Sequence, residues 1–240
     1  MRPEELQKLY ADRTAREGYT GDDSSNRFRK VSSLMREYTT PQKVLDVGCA
    51  TGSLLKSFTE LHDISGVDIS EMFLERARRN GYKQTVQLDV STHALPFEDK
   101  TFDVVFCGEC IEHIVDTDWL YCGINRVLKA GGHFLLTFPN LRTPISFAMM
   151  LLNLPPMYSA RYRAGHVRDF TTRTMKIALA NNGFRIDKMV GADFYLPKIG
   201  GSLGWLADFL PSWSSAVVVR AVKEADAAYS VTAIETTEMH

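Results

Sequence analysis

One stretch gathers side chains that do chemistry at a useful spacing. In Cys107-Gly108-Glu109-Cys110-Ile111-Glu112-His113-Ile114, two carboxylates and an imidazole stand at i, i+3 and i+4. If the stretch opens a helix, Glu109, Glu112 and His113 share one face. Such a set can hold a divalent metal, and a metal on a substrate hydroxyl lowers its pKa for attack. Without a metal, His113 can serve as general base or substrate ligand. The plainer alternative is a helix cap and a packed wall. Cys107-x-x-Cys110 also fits a redox pair, but no second pair completes a zinc site.

A second stretch supplies a place for a ligand. Val44-Leu45-Asp46-Val47 is a short apolar run broken by one carboxylate, followed by Gly48-Cys49-Ala50-Thr51-Gly52. It reads strand, glycine turn, helix, with Thr51 and Ser53 offering N-cap chemistry. Glycines there let a ligand approach the backbone. The turn is not G-x-G-x-x-G, nor a phosphate loop, since no Lys follows Gly52. Asp63-Ile64-Ser65-Gly66-Val67-Asp68 then reads as a second strand ending in an acid, placed to bind a ribose.

These residues resemble the class I S-adenosylmethionine-dependent methyltransferases. The resemblance rests on VLDVGCATG, GVDIS, LDVSTHALPFEDKTFDVVF and RVLKAGGHFLLTFPN, four blocks in the family's order, and extends over roughly 43–222. Ala50 stands where the family usually has a third glycine. The resemblance implies S-adenosyl-L-methionine as cofactor. Gly48, Cys49, Ala50 and Gly52 would meet its amino acid part and Asp46 its cationic end. Asp68, with Ile69 beside it, suits the ribose hydroxyls; Asp89 suits the adenine amino group, and the Val90 amide a ring nitrogen. Cys107 and Glu109 would line the same site. The E-x-x-E-H pattern resembles ubiquinone-biosynthesis O-methyltransferases and small-RNA 2′-O-methyltransferases. In both a further His lies downstream, and His166 is the candidate here. That makes Glu112, His113 and His166 the expected catalytic residues, and Glu109, Glu112, His113 and His166 the expected ligands if a divalent metal is used.

The elements that must position these residues alternate. Strands are expected over 43–47, 63–68, 84–88, 102–107 and 132–138, with helices over 52–60, 70–80 and 110–128, the last ended by Gly131-Gly132. Alternating units imply a parallel sheet with right-handed crossovers and ligands at the carboxyl ends of its strands. A helix over 172–182, a strand over 184–194 and a last strand at 216–220 follow. The expected fold is therefore α/β: a Rossmann-like, seven-stranded, mostly parallel sheet with helices on both faces and the last strand antiparallel.

Around this domain, expected over 43–223, residues 1–42 read as a helical cap. Leu6, Leu9 and Tyr10 lie at helical spacing, as do Phe28, Val31, Leu34 and Met35. Residues 141–166 read as a lid or substrate insert, with an apolar run at 145–152 followed by Arg161, Arg163, Arg168 and Arg173. Residues 224–240 read as a frayed tail.

With 240 residues and a net charge of −1, the composition is ordinary globular and suggests no nucleic acid partner. Four cysteines are too few for a secreted disulfide framework. The start lacks an apolar leader and no run reaches membrane-spanning length, so a cytoplasmic protein is expected, with at most weak peripheral membrane contact. The half-apolar, half-basic insert suits a small-molecule or saccharide-like acceptor, anionic or lipid-linked, with O-methylation ahead of N- or C-methylation. A non-catalytic cofactor-binding subunit and an NAD-dependent oxidoreductase are the rivals.

Overall fold

A computed structural model of the chain describes residues 25–156, 165–194 and 204–229. Its centre is one seven-stranded sheet in the order β3-β2-β1-β4-β5-β7-β6. The strands are β1 (Lys43–Val47), β2 (Asp63–Asp68), β3 (Gln84–Gln87), β4 (Phe102–Gly108), β5 (Leu128–Pro139), β6 (Phe184–Asp193) and β7 (Ala216–Lys223). β1 to β5 pair in parallel, and β7 runs antiparallel to both of its neighbours, β5 and β6. The expected Rossmann-like sheet is present, with its antiparallel last strand.

The helices are α1 (Asn26–Met35), α2 (Glu71–Arg79), α3 (Thr117–Val127), α4 (Pro144–Leu151), α5 (Thr172–Asn181) and α6 (Gly204–Phe209). Alternation along the strands divides the core between the two faces of the sheet. Leu45, Val105, Phe134 and Val219 pack with Leu120 and Ile124 of α3 and Met175 and Leu179 of α5. Val44, Val104, Leu135 and Val218 pack with Val31 and Leu34 of α1 and Leu74 and Ala77 of α2. Central strands buried on both faces explain the unbroken buried runs at 104–107 in β4 and 134–139 in β5. Each fully buried Leu, Ile or Phe in these layers stabilises the fold by about 1.5–3 kcal/mol.

Two of the expected helices take a different form. The segment 52–60 contains only a 3₁₀ turn, Lys56–Phe58. The chain enters it from left-handed conformations at Ala50 (φ +46°) and Gly52 (φ +69°), and one tight turn suffices to bury Leu55 and Phe58 at i, i+3. The segment 110–128 is also broken. A 3₁₀ turn, Ile111–His113, is followed by extended Ile114, and α3 starts afresh where Asp116 accepts a hydrogen bond from the Trp119 amide (3.1 Å). β5 begins directly at Leu128, so Gly131-Gly132 lies inside a strand rather than ending a helix.

Of residues 1–42, expected to form a helical cap, α1 lies among the described residues; Leu6, Leu9 and Tyr10 lie outside them. So do Arg161 and Arg163 of the insert and the tail from 230. α4 carries an N-cap, the Thr143 hydroxyl accepting from the Ser146 amide (3.0 Å), with Pro144 in its first turn. Among the described residues no helix is long and apolar enough to cross a membrane.

Candidate cofactor and acceptor site

The carboxyl ends of β1, β2, β3 and β4 place their acids along one rim. At the end of β1 the Gly48 and Cys49 amides both donate to the Val67 carbonyl (2.9 and 3.0 Å), folding the turn over β2. Asp68 at the end of β2 then holds the turn from outside. One of its oxygens accepts from the Ala50 amide (2.8 Å) and the other from the Ser70 amide (2.9 Å). Burial raises the Asp68 pKa, and these amides pull it part of the way back. Each oxygen keeps a lone pair for a further donor, such as a ribose hydroxyl. Asp68 also steadies Ala50, a residue with a Cβ at φ +46°, where glycine would be at ease.

Asp46, on β1 just before this turn, is 2% exposed, with its Oδ2 accepting from the Tyr82 hydroxyl (2.5 Å). Sequence reasoning missed Tyr82, which follows the Asn80-Gly81 stop of α2 and turns back under the glycine loop. A Cβ on Gly52 would sit 2.6 Å from the Tyr82 ring, and one on Gly66 would sit 2.9 Å from it. The clue available in the sequence was Gly66, a glycine inside a strand, which marks a close approach. Burial, moderated by the Tyr82 hydroxyl and reinforced by the Asp68 charge, raises Asp46 to about 7.

Asp89, just beyond β3, accepts from the Ser91 amide (3.0 Å) and the Ser91 hydroxyl (2.5 Å), while Val90 is buried beside it. Ile69 is half-buried, its carbonyl accepting from the Gln87 side chain (3.0 Å). Cys49 and Cys107 are buried thiols whose pKa values are pushed up, Cys49 chiefly by burial and Cys107 by its contact with Cys110. Neither is poised as a thiolate.

Beyond β4 the chain departs from the expected single helical face. Glu109 adopts φ +51° and turns its carboxylate to the Thr137 hydroxyl (3.1 Å) and to Arg27 of α1 (2.9 Å). Glu112, His113 and His166 are brought together, their ligand-type atoms within 4.8 Å of one another, and Glu109 is not among them. The Glu112 carbonyl accepts from the Val167 and Arg168 amides (2.9 and 3.1 Å), which docks the end of the insert against the 3₁₀ turn. The His113 Nδ1 meets the Gly165 carbonyl at 3.0 Å, so Nδ1 is the donor there. His166 Nε2 lies 4.0 Å from Glu112 Oε1, and the two imidazoles stand edge to face with centroids 5.0 Å apart. Glu112 is 1% exposed, and burial, then the Glu109 charge, hold its pKa well above the ordinary carboxylate value.

The residues present fit an adenosyl cofactor on their own chemistry. The glycines let the turn close onto Cys110 and Tyr82, which a Cβ on Gly48 or Gly52 would meet at under 3.0 Å; an acid stands at the β2 end for a ribose, and Asp46 is a buried carboxylate met by a single side-chain donor among the described residues. The trio at 112, 113 and 166 has a donor set compatible with a divalent metal, one carboxylate and two imidazoles.

Comparison with known proteins agrees with this geometry. Residues 45–136 match the family described as a methyltransferase domain. A ubiquinone biosynthesis O-methyltransferase of Xanthomonas oryzae pv. oryzae (strain PXO99A) is 34% identical over 136 residues, 53% of this chain and 56% of the relative. A demethylmenaquinone methyltransferase of Tropheryma whipplei (strain Twist) is 30% identical over 111 residues, 45% of this chain and 46% of the relative. The chain thus spans about half the length of these curated relatives. Among solved structures, a SAM-dependent methyltransferase from Thermotoga maritima shares the fold at 19% identity and a TM-score of 0.61, over 82% of this chain and 90% of the other. Residues 45–136 thus match a methyltransferase-domain family, and the fold around them is shared with a SAM-dependent methyltransferase structure.

Proposed function

We propose that this protein transfers the methyl group of S-adenosylmethionine to an oxygen of a small acceptor that carries an apolar tail. The observation that carries the reading is one continuous piece of chain. The insert that begins with α4 returns at Gly165–Arg168 to dock on Glu112 and His113. The proposed chemistry and the surface that would hold a tail therefore share one segment.

When bound, the cofactor supplies a methyl group made electrophilic by a sulfonium. Gly48, Cys49, Ala50 and Gly52 would approach its amino acid end and Asp46 its ammonium. Asp68 and Ile69 would flank the ribose, and Asp89 and Val90 the adenine, with Cys107 beneath. Methyl transfer is an in-line displacement, so holding the acceptor oxygen in line supplies much of the rate. The His113 Nε2 lone pair is set to take the hydroxyl proton, and His166 with Glu112 lines the approach. If a divalent cation is used, Glu112, His113 and His166 would hold it, His113 would then be a ligand in place of a base, and the cation would lower the hydroxyl pKa. Glu109 stays with Arg27 and Thr137 and takes the part of a wall rather than a ligand.

The tail is supported by α4 and the turn that follows it. Phe147, Met150, Leu151, Leu152 and Leu154 are all exposed, with Leu151 and Leu152 at 72%. An exposed apolar helix at a ligand rim suits a hydrocarbon tail or contact with a lipid surface. The names of the two relatives, one for ubiquinone biosynthesis and one for demethylmenaquinone, support an acceptor of that character.

The test supplies S-adenosylmethionine with a panel of prenylated phenols, lipid-linked saccharides, short soluble phenols and RNA, and reads gain of one methyl by mass spectrometry. Methylation of tailed hydroxyl compounds ahead of their tailless counterparts is expected. Transfer confined to soluble saccharides, to nitrogen or to RNA contradicts the reading. Turnover that survives a chelator, together with a blank metal analysis, removes the cation from the account.

A further inference from the structure

Asp46 and Tyr82 form a buried pair that the methyl-transfer chemistry does not use. From their geometry we infer that Tyr82 is a positioning residue for the cofactor, holding the Asp46 carboxylate as a proton-linked receptor for the cofactor's ammonium group. The inference rests on the methyltransferase reading and deepens it.

Three observations carry it. The Asp46 carboxylate is 2% exposed, and its single side-chain donor among the described residues is the Tyr82 hydroxyl at 2.5 Å. An ionised carboxylate has room for about four donors, so a buried one with a single partner is under-satisfied until a cation or further donors arrive. Tyr82 reaches it only because Gly52 and Gly66 lack side chains, since a Cβ on either would lie under 3.0 Å from the ring. The ring therefore forms the floor of the turn whose upper surface meets the cofactor. Asn80 fastens this floor to the turn by donating to the Thr51 carbonyl (2.8 Å).

Of the charged and titratable neighbours of Asp46, one favours its neutral form in the absence of ligand and one its ionised form. Asp68 at the end of β2 bears a like charge, and Cys49 in the turn and Cys107 on β4 supply no cation. Tyr82 alone favours the ionised form, by donating to it. With the pKa near 7, about half the ligand-free molecules carry a proton on Asp46 at neutral pH. Docking of an ammonium ionises the carboxylate, and that proton leaves to solvent. The balance is one proton released per Asp46 that was protonated before binding, with no bond otherwise made or broken.

The measurement is calorimetric titration with S-adenosylhomocysteine, the demethylated product, which keeps the same ammonium group. It is run at pH 7 in phosphate and in Tris, two buffers of different ionisation enthalpy. The wild-type protein should release about half a proton, and its affinity should weaken about tenfold between pH 8 and pH 6. Tyr82→Phe should release closer to one proton and bind about fivefold more weakly at pH 7, regaining affinity at higher pH. Asp46→Asn should release none. A merely structural tyrosine would alter the melting temperature without moving the proton count. Binding by the wild type with no buffer dependence overturns the inference and leaves the methyltransferase reading standing. No binding by the wild type at any pH removes that reading, and the inference falls with it. Because the wild-type measurement needs no variant, a poorly folding Tyr82→Phe protein leaves the test intact.

Discussion

The two ends of the rim are built by opposite means. Around β1 and β2, neighbouring backbone makes the site: the Gly48 and Cys49 amides bond to Val67, and Asp68 accepts from Ala50 and Ser70. Around Glu109–His113, distant segments make it: Gly165 meets His113, Val167 and Arg168 meet Glu112, and Arg27 of α1 meets Glu109. The first half is preorganised by a tight turn inside the sheet. The second is assembled by an insert and a cap that must dock. A cofactor used on every turnover suits a fixed cradle, while an exchangeable acceptor suits a wall brought in from outside the sheet.

If that division is right, substitutions should separate binding of the cofactor from turnover of the acceptor. The largest effect is expected at His113. His113→Ala should lower kcat by about 10²–10⁴-fold, as loss of a general base or ligand does. Its affinity for S-adenosylhomocysteine should stay within about twofold of wild type. A parallel loss of cofactor affinity would break the comparison. Next, Asp68→Ala removes the acceptor of two amides and of the ribose. S-adenosylhomocysteine binding should weaken roughly a hundredfold, or about 2–3 kcal/mol.

A smaller effect is expected from Phe147→Ser combined with Leu151→Ser. KM for a tailed acceptor should rise about tenfold, the worth of a few buried methylenes, and KM for a tailless one should hardly change. Equal changes for both acceptors would detach α4 from the tail.

The cradle should also reveal itself in stability. Asp46 sits near pH 7 in the folded state against an ordinary 3.8, so the folded protein holds a proton between these values that the unfolded chain does not. Stability of the ligand-free protein from this group is therefore greatest in acid and is lost as pH rises from about 4 through 7. Asp46→Asn should remove that slope and raise the melting temperature at pH 8 by a few degrees. The smallest change belongs to Arg27→Ala. Both partners of the Arg27–Glu109 pair are about a third exposed, so the loss should stay under about 1 kcal/mol by denaturant titration.

The same division explains what could be read before the structure. Val44–Gly52 and Asp63–Asp68 were legible because apolar run, acid and glycine act over a few residues, and their parallel pairing follows from alternation. Asp46–Tyr82 was not legible, since 36 residues separate the pair and Tyr82 looks like any aromatic after a helix stop. The expected helical face of Glu109, Glu112 and His113 fails at one torsion, the left-handed φ at Glu109, which periodicity does not encode. The helix start at Asp116 carried a readable cap, yet the apolar spacing around it concealed the break. His166 was placed by resemblance. Its contact with Glu112 depends on the insert returning, a matter of tertiary docking rather than local pattern.

Equilibrium titration with S-adenosylhomocysteine, run beside NAD, decides whether the rim is an adenosyl-cofactor cradle. Saturable one-to-one binding of S-adenosylhomocysteine is expected, weakened roughly a hundredfold by Asp68→Ala, with no binding of NAD. Binding of NAD in its place, or of neither compound, would contradict it.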